Sequence, residues 1–78
     1  MSQDLKLYYK PTCPFSQKVL RYLEDSGVQL ELRNTLEGNN QQELIEAGGK
    51  KQVPCLLING EALYESDDII KYLKEYHA

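Results

Sequence analysis

Cysteine is scarce in this 78-residue chain: only Cys13 and Cys55 are present, and the single histidine is His77. Two cysteines are too few for the disulfide framework of a small secreted domain, so a reducing, cytoplasmic setting is expected. With one histidine at the extreme C-terminus they also leave no ligand set for structural zinc, and no metal is expected. Basic residues are outnumbered, 9 Lys and Arg against 12 Asp and Glu, giving a formal charge of −3. That balance argues against nucleic acid or an anionic membrane as a main partner. No apolar run approaches the roughly 18 residues of a membrane span. Met1-Ser2-Gln3-Asp4 lacks the basic and apolar regions of a signal peptide. Repeats, linkers and low-complexity tracts are absent as well. A 41% apolar and 27% charged composition is that of a globular protein rather than a disordered chain. The expectation is one small domain over residues 1–78, near the lower limit for folding without staples.

The periodicity supplies the elements. Leu5-Lys6-Leu7-Tyr8-Tyr9 alternates and is rich in strand formers. Phe15, Val19, Leu20 and Leu23 recur at helical spacing, predicting a helix from Pro14 to about Ser26 that stops at Gly27, with Gln17, Lys18, Arg21 and Glu24 facing water. Val28 to Leu32 alternates strictly and reads as a second strand, parallel to the first in a right-handed β-α-β unit. Asn40 with Glu43 three residues on has the form of a helix N-cap, predicting a short helix through Ala47 that Gly48-Gly49 ends. Cys55 to Ile58 is an apolar strand, Asn59-Gly60 a hairpin turn, and Glu61 to Tyr64 the returning strand. Ser66-Asp67-Asp68 opens a last helix marked by Ile69, Ile70, Leu73 and Tyr76. The order is β-α-β-α-β-β-α: an α/β unit with a four-stranded mixed sheet and three helices.

Everything else is arranged around Lys10-Pro11-Thr12-Cys13-Pro14-Phe15-Ser16. Pro14 suits the first helical position, which puts Cys13 at the N-cap. A sulfur there faces unpaired backbone N–H groups and the positive end of the helix dipole, which favours thiolate over thiol. Helix N-termini bring a cysteine from about 8.5 down to roughly 3.5–7.5. The plainer reading is a small residue filling a loop. Cys55, in an apolar strand, reads as a buried structural cysteine, with a resolving role as the sharper alternative.

The Lys10-to-Ser16 stretch, Val53-Pro54 before a strand and the Ser66-Asp67-Asp68 helix start together resemble a glutaredoxin. The resemblance covers nearly the whole chain and implies the thioredoxin-like fold without its extra N-terminal strand. It further implies that glutathione binds beside a nucleophilic Cys13, and that Pro54 follows a cis bond against the active site. Val53 would then pair with the cysteinyl backbone of glutathione. Ser66 and Asp67 would take its γ-glutamyl end, the helix start receiving the carboxylate and the Asp67 side chain the ammonium. Lys10 and Gln52 match the positions for the glycine carboxylate, with Lys50 assisting. Other readings stand beside these: capping alone for Ser66 to Asp68, solvated charge for Lys10 and Lys50, a strand start for Pro54, and core or groove wall for Phe15.

Two departures from the glutaredoxin pattern matter. Ser16 stands where dithiol members carry a second cysteine, so Cys13 acts alone, with the Ser16 hydroxyl donating to its thiolate. The resemblance then implies glutathione as co-substrate, glutathionylated proteins or small disulfides as partners, and a monomer. Tyr64-Glu65 replaces a pair of glycines, and Glu65-Ser66 is similar to the start of the same helix in glutathione S-transferase N-terminal domains. Those enzymes add an all-helical domain, for which 78 residues leave no room. A glutathione-ligated [2Fe–2S] carrier is an alternative, although such carriers usually have Gly where this chain has Pro14. A weakly active glutathione-binding module is another.

Overall fold

The computed structural model describes residues 5–77, without the side chains of Tyr76 and His77. The expectations placed on Met1–Asp4 lie outside the described residues, and those placed on the side chains of Tyr76 and His77 lie outside what is described. The elements are β1 (Leu5–Tyr9), α1 (Pro14–Ser26), β2 (Glu31–Asn34), α2 (Asn40–Gly48), β3 (Cys55–Ile58), β4 (Glu61–Leu63) and α3 (Ser66–His77). The sheet order is β2-β1-β3-β4, with β1 and β2 parallel and the other neighbours antiparallel. This is the thioredoxin-like arrangement that the sequence implied.

The two faces of the sheet bury different sets of residues, as strand alternation requires. Leu5 and Leu7 of β1 join Leu56 of β3 under Val19 and Leu23 of α1 and Ile69 and Leu73 of α3. On the other face Tyr8, Cys55 and Leu57 enclose Leu44 of α2. Cross-strand register makes these layers, with Leu7 opposite Leu56 and Tyr8 opposite Cys55. Asn59 and Gly60 both have positive φ, 52° and 91°, the backbone that a two-residue hairpin demands.

Three elements differ from expectation in their boundaries. The second strand begins at Glu31, not Val28. Val28 and Leu30 pack against the core as irregular chain after the left-handed turn at Gly27. Ladder pairing begins only where Glu31 meets Lys6. Apolar alternation therefore marked residues that touch the core, while hydrogen bonding set the strand. Asn40 is the first residue of α2 rather than its cap, and its side chain donates to the Asn34 carbonyl at 2.8 Å. The fourth strand ends at Leu63, because Tyr64 turns to donate from its hydroxyl to the Gly48 carbonyl at 3.0 Å.

That last contact is tight. A Cβ on Gly48 would lie 2.2 Å from the Tyr64 hydroxyl and 3.3 Å from the Ala62 Cβ. Gly48→Ala is therefore expected to lower unfolding stability by about 1–3 kcal/mol despite the better helix propensity of alanine. Tyr64→Phe removes the nearest clash, so Gly48→Ala should cost less in that background. Denaturant melts of the two singles and the double read this coupling; strictly additive losses would refute it.

Candidate functional site

Cys13 owes its position to a turn and a helix start. Its N–H donates to the Lys10 carbonyl at 2.9 Å, and its own carbonyl accepts the Gln17 N–H, the first bond of α1. Its extended backbone, φ −89° and ψ 121°, is that of an N-cap, with Pro14 at the first helical position. The Gln17 side chain ties the preceding loop down by donating to the Pro11 carbonyl at 2.8 Å.

As a thiol the sulfur makes no capping hydrogen bond. Burial alone raises its pKa, but the Ser16 N–H and hydroxyl, the Phe15 N–H and the Lys10 charge outweigh burial, and the net shift is downward. Ser16 is fully buried beneath the cysteine, and its hydroxyl oxygen accepts the Lys10 N–H at 3.2 Å. The hydroxyl proton remains free for the sulfur. Ser16→Ala is therefore expected to move the midpoint of Cys13 alkylation by iodoacetamide upward in pH. In the parent that midpoint should lie below the ordinary cysteine value, with the rate rising as pH rises through it. The same shift stabilises the fold above the unfolded-state cysteine pKa, and this contribution fades as pH falls through the folded one. An unmoved midpoint in Ser16→Ala would show that the hydroxyl does not hold the thiolate.

Beside the thiol runs a groove of about 350 Å³ lined by Phe15, Lys18, Gln52, Val53, Pro54, Glu65, Ser66 and Asp67. Cys13 is not among the lining residues; it adjoins the groove through Phe15, two residues on, whose N–H helps to lower the thiol's pKa. Phe15 is 63% exposed, which makes it a wall of the groove and not part of the core. The Val53–Pro54 bond is cis. Among the described residues the Val53 backbone enters no turn, cap or ladder pairing, so an extended ligand finds it free. At the far end the first turn of α3 presents N–H groups without intrahelical partners, with Ser66 buried and Asp67 exposed. Glu65 precedes it at φ 72°, left-handed backbone that is unusual for a residue with a side chain.

Of the residues singled out for glutathione, Phe15, Gln52, Val53, Pro54, Ser66 and Asp67 share this groove. Lys10 is not among its lining residues and acts on the sulfur through charge. Lys50 sits over the Tyr64 ring, 4.3 Å from its centroid. Lys18 was missed. It pairs with Asp67 across the groove, and its one signal in sequence was a place one helical turn after Pro14. Cys55 faces the α2 side of the sheet, where burial pushes its thiol up to about 11 against the opposing pull of Tyr64, Leu63 and Lys50. A larger depression of about 430 Å³, lined by residues such as Leu20, Val28 and Leu32, lies between α1 and β2, and none of its lining residues belongs to the groove beside the thiol. Among the described residues no group of His, Cys, Asp and Glu is placed to hold a metal ion, and no helix is long and apolar enough to cross a membrane.

Comparison with known proteins places this geometry. The family model for the glutathione S-transferase N-terminal domain matches residues 7–78. Glutathione S-transferase P 10 of Caenorhabditis elegans is 29% identical over 73 residues, which are 92% of this chain and 35% of that protein. A protein of Synechocystis sp. named a probable glutaredoxin is 28% identical over 72 residues, 88% of this chain and 81% of that one. Among solved structures, glutathione S-transferase unclassified 2 from Bombyx mori superposes with a TM-score of 0.79 at 26% identity, over 95% of this chain and 36% of that one. The chain thus spans about a third of the transferases it matches and most of the glutaredoxin-named protein.

Proposed function

The chain belongs to the glutathione S-transferase N-terminal domain family, and from that premise we propose that it is a glutathione-dependent thiol–disulfide oxidoreductase working through Cys13 alone. The observation that carries this is a pKa-lowered N-cap cysteine beside a groove that ends at a helix N-terminus. Likeness to a glutaredoxin-named protein, 28% identical, supports this chemistry.

Glutathione would lie along the groove with its cysteinyl backbone on Val53. Its γ-glutamyl carboxylate would meet the first-turn N–H groups of α3 and the Ser66 hydroxyl. Its ammonium would meet Asp67. Gln52, with Lys10 beyond the groove, would serve the glycine carboxylate. In the first step the Cys13 thiolate attacks the glutathionyl sulfur of a protein–glutathione mixed disulfide. The Cys13–glutathione disulfide forms, and the protein leaves as its thiolate. A second glutathione, as thiolate, then attacks the glutathionyl sulfur held on Cys13. Oxidised glutathione is released and the Cys13 thiolate returns. The net exchange consumes one mixed disulfide and one glutathione thiol and yields the protein thiol and oxidised glutathione, one disulfide replacing another, and Ser16 cannot divert it into an internal bond.

The test is reduction of a glutathionylated peptide by glutathione, coupled to glutathione reductase and followed by NADPH consumption. Turnover that saturates in the peptide is expected; none at any glutathione concentration would refute the reading. A glutathione-binding module with little turnover is the second reading, favoured by the Glu65 carboxylate on the groove lining. Calorimetric binding of glutathione without turnover would identify it.

A further inference from the structure

A third depression opens on α1, of about 290 Å³, lined by Pro14, Gln17, Lys18 and Arg21. These are positions i, i+3, i+4 and i+7, one face of the helix. It begins at the residue after Cys13 and shares Lys18 with the groove described above. No carboxylate lines it. Arg21 is exposed and enters no hydrogen bond or ion pair among the described residues. Glu24 and Asp25 lie one turn beyond. In a chain of net charge −3 this cationic face stands out, and it adjoins the nucleophile.

We infer that this face docks the protein that carries the disulfide, and that the partner it fits bears acidic side chains within a few residues of its reacting sulfur. The inference rests on the proposed oxidoreductase function and names its substrate class. Pro14 and Arg21 are about 10 Å apart along the helix at 1.5 Å per residue. Three or four extended residues of a partner, at about 3.3 Å each, cover that span. Lys18 connects the two sites. Its ammonium is held by Asp67, with the two side chains 53% and 80% exposed. An ion pair so exposed contributes little and exchanges readily. A glutathionyl ammonium that takes Asp67 releases Lys18 toward Arg21, and the face then presents two cations instead of one. Glutathione in the groove and an acidic segment on α1 therefore assist each other.

The experiment compares glutathionylated peptides of one core sequence, with either Glu and Asp or Ser and Gln flanking the cysteine. The mixed disulfide of glutathione and 2-mercaptoethanol serves as a substrate without flanks. The expected kcat/KM favours the acidic peptide by about five- to tenfold at low salt, and the preference collapses near 1 M salt, where the screening length is about 3 Å. Arg21→Glu should abolish or invert the preference while leaving the mercaptoethanol substrate unchanged. Equal rates for both peptides in the parent would overturn the inference and leave the oxidoreductase reading standing. A preference that survives Arg21→Glu would overturn the assignment to this face. Absence of turnover with all three substrates would overturn the oxidoreductase reading, and this inference with it.

Discussion

Cys13→Ser is expected to reduce glutathione-dependent turnover of a glutathionylated peptide by about a thousandfold or more, because serine at this pH is a far weaker nucleophile than a thiolate. Cys55→Ser should leave the rate close to the parent's. The contrast follows from where each sulfur sits. Cys13 has N–H groups, a hydroxyl and a lysine charge aimed at it, and these outweigh its partial burial. Cys55 is wholly buried on the α2 face of the sheet, with a pKa pushed to about 11. At pH 7 that leaves about one thiolate in ten thousand, too few to resolve a mixed disulfide on Cys13 at a useful rate. Both variants are run in the coupled NADPH assay, with folding checked by far-UV circular dichroism. A Cys55→Ser protein that folds but loses turnover would restore the resolving role. A Cys13→Ser protein that retains turnover would remove the nucleophile from the mechanism altogether.

Much of the fold was legible because local signals agreed with one another. The Pro14 start and Gly27 stop bracket α1 in sequence and in structure, and Asn59-Gly60 turns the hairpin as its composition demands. What could not be read locally depends on pairing across the chain. Val28 and Leu30 alternate as a strand does, yet they touch the core without a partner strand. Tyr64 looks like the end of β4 until Gly48, 16 residues earlier, supplies a carbonyl for its hydroxyl. The candidate site divides in the same way. Cys13 and Ser16 carry their chemistry in adjacent sequence, and a helix N-terminus announces Ser66 and Asp67. Lys18 looks like any lysine on a wet helix face until α3 packs against α1 and brings Asp67 to it. A residue whose meaning comes from a partner 49 positions away leaves no local mark.

The groove depends on the core beneath it, and Leu56 tests that dependence. Leu56 is fully buried in β3, between Leu7 of β1 and Leu63 of β4. It belongs to the cluster that seats both α1 and α3, the two helices whose starts carry Cys13 and Ser66. Leu56→Ala removes buried methyl groups and leaves a cavity that sheet and helices can only partly close, a loss of about 2–5 kcal/mol. A chain of this length has only about 4–12 kcal/mol in hand. The variant is therefore expected to lose much of its stability and to melt well below the parent. Leu36→Ala, at a leucine 60% exposed, should stay within about 0.5 kcal/mol. Urea melts at neutral pH make the comparison. Because Val53 and Pro54, which line the groove, lead directly into β3, Leu56→Ala should also weaken glutathione binding under conditions where the variant is still folded. If Leu56→Ala costs no more than Leu36→Ala, the layer that holds the thiol against the groove is not the one drawn here.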